Sequence, residues 1–159
     1  RHLRETGIVH YCDQKMKKNP KPFLGTAINP FSTPASVPIR RLKQKAAAGA
    51  DFVQSQLIFD IPAFEDFMGL YHQENLNDDL FFLAGIPVVT SKKAFEHMSK
   101  IPGIIVPKDV YQKFMDAPDI KEYGVQWARF LIKSLKHFKV LFLVSKTTDI
   151  TYVSLFIFL

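Results

Sequence analysis

The chain has 159 residues, of which 47% are hydrophobic and 23% are charged, a composition that excludes a disordered or membrane-embedded protein. Its single cysteine, Cys12, excludes an internal disulfide and leaves no second thiolate for a structural zinc site. The net charge of +6 is concentrated in residues 1–50, where ten lysines and arginines stand against Glu5 and Asp13, so this segment would attract a polyanion.

No stretch has the features of a signal peptide, and no apolar run reaches the roughly 18 residues that a membrane span needs. A lone cysteine is also typical of a reducing compartment. The sequence therefore predicts a cytoplasmic protein without a membrane partner.

The first half of the chain contains two predicted strands, each followed by a helix. Residues 1–6 predict the end of a helix that Gly7 stops, and a basic connector leads to a strand in PFLGTAI. The loop NPFSTPASVP precedes a helix at 38–48 with Pro38 in its first turn. DFVQSQLIF predicts the second strand.

A third and a fourth strand follow in the second half. Apolar residues at helical spacing from Phe64 to Tyr71 predict a helix, which a polar loop, QENLNDD, separates from the strand LFFLAGIPV. Two short helices, SKKAFEHMSK and KDVYQKFMDA, flank an extended PGIIVP, and DIKEYGVQWARFLIKSLKHF predicts a long helix before the strand KVLFLV. Residues 145–159 have no helical stripe, so we expect a divergent apolar terminus distinct from a domain over 1–144, with an extra strand as the alternative.

Strands that alternate with helices predict a parallel sheet, either open and doubly wound or closed as a (β/α)8 barrel. The GxGxxG fingerprint of a doubly wound dinucleotide fold is absent, and four βα units are half of a barrel. The predicted fold class is therefore α/β, a partial (β/α)8 TIM barrel with about four parallel units.

The predicted ends of the strands are rich in amide, hydroxyl and lysine groups and poor in histidine, cysteine and paired carboxylates. Barrel enzymes place their sites at these carboxyl ends, so the composition indicates ligand positioning rather than bond cleavage. Gln54 and Gln56 stand out because a buried parallel strand is normally a continuous apolar run. The five histidines are scattered, so no metal site and no catalytic residue is predicted.

Four blocks, FLGTAINPF, RLKQKAAAGADFVQSQLIFD, AGIPVV and PGIIVPKDVY, together resemble the flavin-dependent methylenetetrahydrofolate reductase family, in the C-terminal half of its barrel. The resemblance implies that Gln56 lies over the flavin and contacts the folate or nicotinamide. It also implies FAD contacts by Arg41 and Lys45, with Asn29 near the flavin. Lys93 stands where some members have a folate-contacting glutamine and is the second candidate substrate contact.

The resemblance implies part of an oxidoreductase that uses FAD to reduce methylenetetrahydrofolate to methyltetrahydrofolate, in one-carbon metabolism and methionine biosynthesis. The family's glutamate acid lies upstream of Arg1, so we expect this chain to be inactive alone. Two alternatives stay open, a basic module that binds nucleic acid and another barrel enzyme acting on a phosphorylated metabolite. The electron donor, nicotinamide or another carrier, and formation of a homo-oligomer are left open, as is the role of Gln54.

Overall fold

The computed structural model describes residues 2–9, 12, 14–17, 21–148 and 151–157. Helix α1 (His2–Thr6) ends at Gly7, whose φ of 71° is the left-handed conformation that closes a helix, as predicted. Strands β1 (Ile8–Val9) and β2 (Gln14–Lys15) then form an antiparallel pair that the sequence did not indicate.

The main sheet has five strands in chain order, and the first four are parallel. These are β3 (Gly25–Ile28), β4 (Phe52–Leu57), β5 (Phe81–Val88) and β6 (Leu141–Thr148). β7 (Thr151–Ile157) pairs antiparallel with β6 and is the extra strand that was the alternative for the terminus. The predicted set of four parallel strands is confirmed.

Helices connect the parallel strands: α2 (Ser36–Ala47), α3 (Ile61–Gln73), α4 (Leu76–Asp79), α5 (Lys92–Ser99), α6 (Lys108–Asp116), α7 (Ile120–Leu135) and a 3-10 turn (Lys136–Phe138). α2 begins two residues before the predicted start. The predicted polar loop after α3 was wrong in part, because α4 forms there. Asn75 adopts the left-handed conformation (φ 54°) and Leu76 is buried, so an apolar anchor folds this polar segment into a helical turn.

One face of the sheet is covered by α2, α3 and α7. Leu42 of α2, Phe64 of α3 and Leu131 of α7 are fully buried in one apolar core with Val53 and Phe82 of the strands. A doubly wound sheet has helices on both faces, whereas a barrel has them on its outer face only. This packing therefore distinguishes the two predicted architectures and agrees with a partial TIM barrel.

The opposite face, which we call the open face, has an aromatic cluster where the strands begin. Phe23 stacks on Phe52 with ring centroids 5.4 Å apart, and Phe81 lies 6.1 Å from Phe23. Phe23 and Phe81 are 64% and 61% exposed, so this cluster is an apolar surface rather than a core.

A second, smaller core lies beyond the carboxyl ends of β4 and β5. Phe59, just after β4, and Val89, just after β5, pack with Phe95 of α5 and Phe114 of α6, whose rings are 4.5 Å apart. Its other members include Ile104, which is 8% exposed, so this core fixes the segment between α5 and α6 above the strand ends.

Two close contacts join α1 and α7 to the sheet region. Arg4 of α1 forms an ion pair with Asp51, which also accepts a hydrogen bond from the Leu24 N–H at 2.7 Å. Gly124 of α7 lies so near β5 that a Cβ there would be 2.1 Å from the Val89 carbonyl oxygen. Within the described ranges, no helix is long and apolar enough to span a bilayer.

Candidate functional site

A pocket of about 240 Å³ lies at the carboxyl ends of β3 and β4. Parallel strands end at the same edge of a sheet, so their last side chains and the loops after them meet there. The lining residues are consecutive on each of the two strands: Ala27, Ile28, Asn29, Gln54, Ser55 and Gln56. Both glutamines that the sequence singled out therefore lie in the pocket.

Asn29 is held by the turn that follows β3. Its side-chain oxygen accepts a hydrogen bond from the Phe31 N–H at 3.0 Å, and its backbone carbonyl accepts one from the Ser32 hydroxyl at 3.3 Å. An asparagine that bonds the backbone two residues later forms its own tight turn, which explains why NPFS leaves the strand here. The turn holds Oδ1 of Asn29, and its Nδ2 group lies next to Gly103.

Gly103, in the segment between α5 and α6, packs directly on this amide. A Cβ at Gly103 would lie 2.9 Å from Asn29 Nδ2 and 3.8 Å from Gln56 Nε2. The φ of Gly103 is 90°, which L side chains rarely adopt, so both its conformation and its space require glycine. Two carboxamides and one glycine backbone thus converge above the ends of β3 and β4.

The two predicted cofactor cations lie on α2 beside the pocket. The Lys45 Nζ donates to the carbonyl oxygen of Ala27, a pocket residue, at 2.5 Å. This carbonyl belongs to β3, which is an edge strand, so Lys45 also satisfies part of an exposed sheet edge. Arg41 is exposed one turn earlier on α2, and its guanidinium can face solvent or a ligand.

The remaining candidate residue, Lys93, lies outside the pocket lining. Lys93 is exposed in the first turn of α5, which Ser91 caps by accepting a hydrogen bond from the Ala94 N–H at 3.1 Å. Gln44 is exposed on α2, and its neighbour Lys43 forms an ion pair with Glu74 of the segment after α3. The structure therefore brings Asn29 and Gln56 together, places Lys45 beside them, and leaves Lys93 outside the pocket lining.

Among the described residues, the groups whose pKa departs from its ordinary value do not line this pocket. The Arg4 guanidinium, followed by the Leu24 N–H, lowers the pKa of Asp51. Burial, with a smaller contribution from Asp79, raises the pKa of Tyr71, whose hydroxyl donates to the carbonyl oxygen of Leu80 at 2.8 Å. These groups tie structural elements together and do not form a proton-transfer site.

A larger and shallower depression of about 870 Å³ lies between α6 and α7, but its carboxylates already have structural tasks. Asp119 caps α7 by accepting from the Glu122 N–H at 3.0 Å, and Asp109 pairs with Lys113 at 3.3 Å. Among the described residues, no three His, Cys, Asp or Glu side chains are grouped to hold a metal ion. The pocket at the ends of β3 and β4 is therefore the better candidate.

Comparison with known proteins gives the family. A family model described as "Methylenetetrahydrofolate reductase" matches residues 26–143, which is most of the chain. The chain belongs to the methylenetetrahydrofolate reductase family. The matched range contains every pocket residue, Gly103 and the two predicted cofactor contacts on α2, whereas α1 and β7 lie outside it.

A solved structure has a similar fold at low sequence identity. It is described as "Uncharacterized protein from Clostridium thermocellum binds two copies of 5-methyl-5,6,7,8-tetrahydrofolic acid", with 20% sequence identity and a TM-score of 0.67. The alignment covers 82% of this chain and 49% of that one, so the chain spans about half the length of the structure that it matches.

Sequence reasoning singled out Asn29, Gln56 and Lys45, which line the pocket or contact its lining, but it did not single out Gly103 or Ser55. The Pro102–Gly103 dipeptide is a turn signal, yet the segment was predicted to be extended. Instead residues 101–103 form a turn, with the Ile104 N–H donating to the Ile101 carbonyl at 3.1 Å. Nothing in the local sequence indicates that this turn reaches across to β3 and β4.

Proposed function

We propose that this chain forms the reduced-folate site of a flavin-dependent methylenetetrahydrofolate reductase, an oxidoreductase that converts methylenetetrahydrofolate to methyltetrahydrofolate. The observation that carries the proposal is the meeting of Asn29 and Gln56 under Gly103, at the strand ends where barrel enzymes bind ligands. Family membership supports it, and so does the binding of 5-methyltetrahydrofolate by the Clostridium thermocellum protein of similar fold.

Gln56 is the proposed contact to the folate ring. A carboxamide carries one acceptor oxygen and two donor hydrogens, which suits a pterin edge where donors and acceptors alternate. Lys93 is the proposed second contact, since an exposed ammonium at the start of α5 can attract the carboxylates of the folate tail. Both residues would bind and orient the substrate.

Arg41, Lys45 and Asn29 fit the chemistry of an FAD site. Arg41 and Lys45 are four residues apart on α2, hence on one side of the helix, and together they offer two positive charges for a pyrophosphate. The ammonium of Lys45 has three donor hydrogens, of which Ala27 O uses one. When bound, the flavin supplies the hydride transfer between a reduced donor and the folate.

The lining of the pocket contains amides and a hydroxyl but no carboxylic acid. We therefore assign binding and orientation to this chain, and expect reduction to require an acid that these residues do not supply. Residues 1–144 are proposed to form the reductase-type unit, with residues 145–159 as a divergent addition to it.

The test is a pair of titrations on the purified chain, one with 5-methyltetrahydrofolate and one with FAD. Gln56→Ala should weaken folate binding about tenfold, the loss expected for one or two ligand hydrogen bonds. Lys45→Ala should weaken FAD binding more than folate binding. Lys133→Ala removes a lysine of α7, away from the pocket, and is the matched control for Lys45.

Unchanged folate affinity in Gln56→Ala would contradict the assignment of this pocket. FAD affinity that falls equally in Lys45→Ala and Lys133→Ala would mean that only net positive charge matters, and would contradict the proposed role of α2.

A further inference from the structure

Ser55 is a polar residue buried in the sheet, with 5% of its surface exposed. A buried hydroxyl needs hydrogen-bond partners, and Ser55 has two. Its Oγ accepts from the Gly85 N–H at 2.9 Å and donates to the Gln56 carbonyl oxygen at 2.8 Å. The hydroxyl thus connects β5 to the backbone of the pocket residue Gln56.

These hydrogen bonds lie at an irregularity in the sheet. Gln54 pairs with Leu83 and Leu57 pairs with Gly85, so β4 advances three residues while β5 advances two. One extra residue in β4 forms a bulge, which removes a regular ladder partner and turns the side chains near it. At the bulge, the Gly85 N–H donates to the Ser55 hydroxyl in place of a backbone carbonyl. The regular pairing of β4 with β5 resumes where the Ile58 N–H donates to the Gly85 carbonyl oxygen at 3.0 Å.

Because Gly85 has no side chain, the bulge of β4 packs directly against β5. A Cβ there would be 2.9 Å from the Gln56 carbonyl oxygen and 3.1 Å from the Ser55 carbonyl oxygen. The carbonyl oxygen of Gln56 therefore lies against Gly85 of β5 and accepts the hydrogen bond of the Ser55 hydroxyl. The side chain of Gln56 extends into the pocket toward Gly103.

We propose that Ser55 is a positioning residue, whose hydroxyl fixes the β4 bulge and thereby orients the Gln56 carboxamide toward the ligand. For the identity of that ligand the inference rests on the proposed function. A serine that only fills space in the core would stabilise the fold without any specific coupling to Gln56. The two roles differ in a double-mutant cycle, because a positioning residue loses its effect on binding when the group that it positions is absent.

The binding arm measures 5-methyltetrahydrofolate affinity for Ser55→Ala and Ser55→Thr, and for Ser55→Ala combined with Gln56→Ala. Ser55→Ala should weaken binding about tenfold, whereas Ser55→Thr, which keeps the hydroxyl, should stay within about twofold. In the Gln56→Ala background, Ser55→Ala should add less than about twofold. Equal losses with and without the Gln56 side chain would overturn the inference.

The second arm needs no ligand. Amide hydrogen exchange at Gly85 should accelerate about tenfold in Ser55→Ala, because its acceptor is lost, and the side-chain amide resonances of Gln56 should shift. Ser134→Ala, in α7, is the matched control and should change neither. Unchanged Gly85 exchange and Gln56 resonances in Ser55→Ala overturn the positioning role. If both change while the unaltered chain binds no folate, the positioning role of Ser55 stands and only the proposed function is contradicted.

Discussion

The two ends of the open sheet face are built from different side chains. Where the strands begin, Phe23, Phe52 and Phe81 form an exposed aromatic cluster. Where β3 and β4 end, Asn29 and Gln56 present amides to a pocket. Along β4, the side chains therefore change from an apolar ring at Phe52 to a polar amide at Gln56 within a few residues.

The difference separates two tasks along one sheet. In barrels, the strand beginnings contribute mainly stability and the strand ends carry the ligand site. The aromatic end here is joined to α1 by Arg4 and Asp51, whereas the amide end is covered by the core between α5 and α6. Substitution of a half-buried ring in the aromatic cluster should consequently change stability, whereas substitution of a pocket amide should change ligand affinity.

The largest expected effect on stability is at Gly124 of α7, which packs against Val89 at the end of β5. Gly124→Ala places a Cβ against the rigid backbone carbonyl of Val89, whereas Gly25→Ala places one against the half-buried ring of Phe52, which can turn away. We expect Gly124→Ala to lower the free energy of unfolding by about 2 kcal/mol, after the gain in helix propensity, and Gly25→Ala by about 1 kcal/mol. Urea denaturation measures both free energies. A greater loss of stability in Gly25→Ala than in Gly124→Ala would contradict the contrast between a rigid carbonyl and a ring that can turn.

The second pair compares Phe52 with Gln56. Phe52→Ala removes a half-buried ring and should lower the free energy of unfolding by about 1.5 kcal/mol with folate affinity unchanged. Gln56→Ala should change stability by less than about 0.5 kcal/mol while weakening folate binding. Denaturation and titration of both variants check this, and a loss of affinity in Phe52→Ala would show that the two ends are not separate.

The ion pair at the aromatic end should make stability depend on pH. The pKa of Asp51 is lowered on folding, so its contribution is present above the ordinary value of 3.8 and disappears as the pH falls through the folded value. Asp51→Asn should therefore lower the urea midpoint by a constant amount from about pH 7 to about pH 5. Below about pH 4, the difference in midpoint between the variant and the unaltered chain should narrow. A difference in midpoint that widens in acid would refute the stabilising role of the Arg4–Asp51 ion pair.

The smallest effect is expected at Phe81. Because its side chain is 61% exposed, Phe81→Ser should change the free energy of unfolding by less than about 0.5 kcal/mol. Folate affinity should also be unchanged, since Phe81 begins β5 and does not line the pocket. A loss of more than about 1 kcal/mol in urea would mean that the aromatic cluster acts as a core.

Much of the fold could be predicted because its signals are local. Apolar runs indicated the four parallel strands, and the spacing from Phe64 to Tyr71 indicated α3. The helix at Leu76 was missed because its stability comes from burial of that leucine, which polar neighbours conceal in the sequence.

Part of the candidate site could be singled out from the sequence for the same reason. Gln56 was conspicuous as an amide in an apolar strand, so the local sequence was enough to single it out. Ser55 bonds Gly85 on β5, 30 residues away, and Gly103 reaches the pocket from a separate turn, so only the folded chain brings them together. Local sequence patterns contain no information on such long-range contacts.

The most direct test of the proposed folate site is an NMR titration of the chain with 5-methyltetrahydrofolate. We predict that the side-chain amides of Asn29 and Gln56 and the backbone amide of Gly103 shift on binding, while Phe23, Phe52 and Phe81 keep their resonances. Shifts confined to the aromatic end, or none at the amide end with saturating folate, would contradict the assignment of the folate site to the ends of β3 and β4.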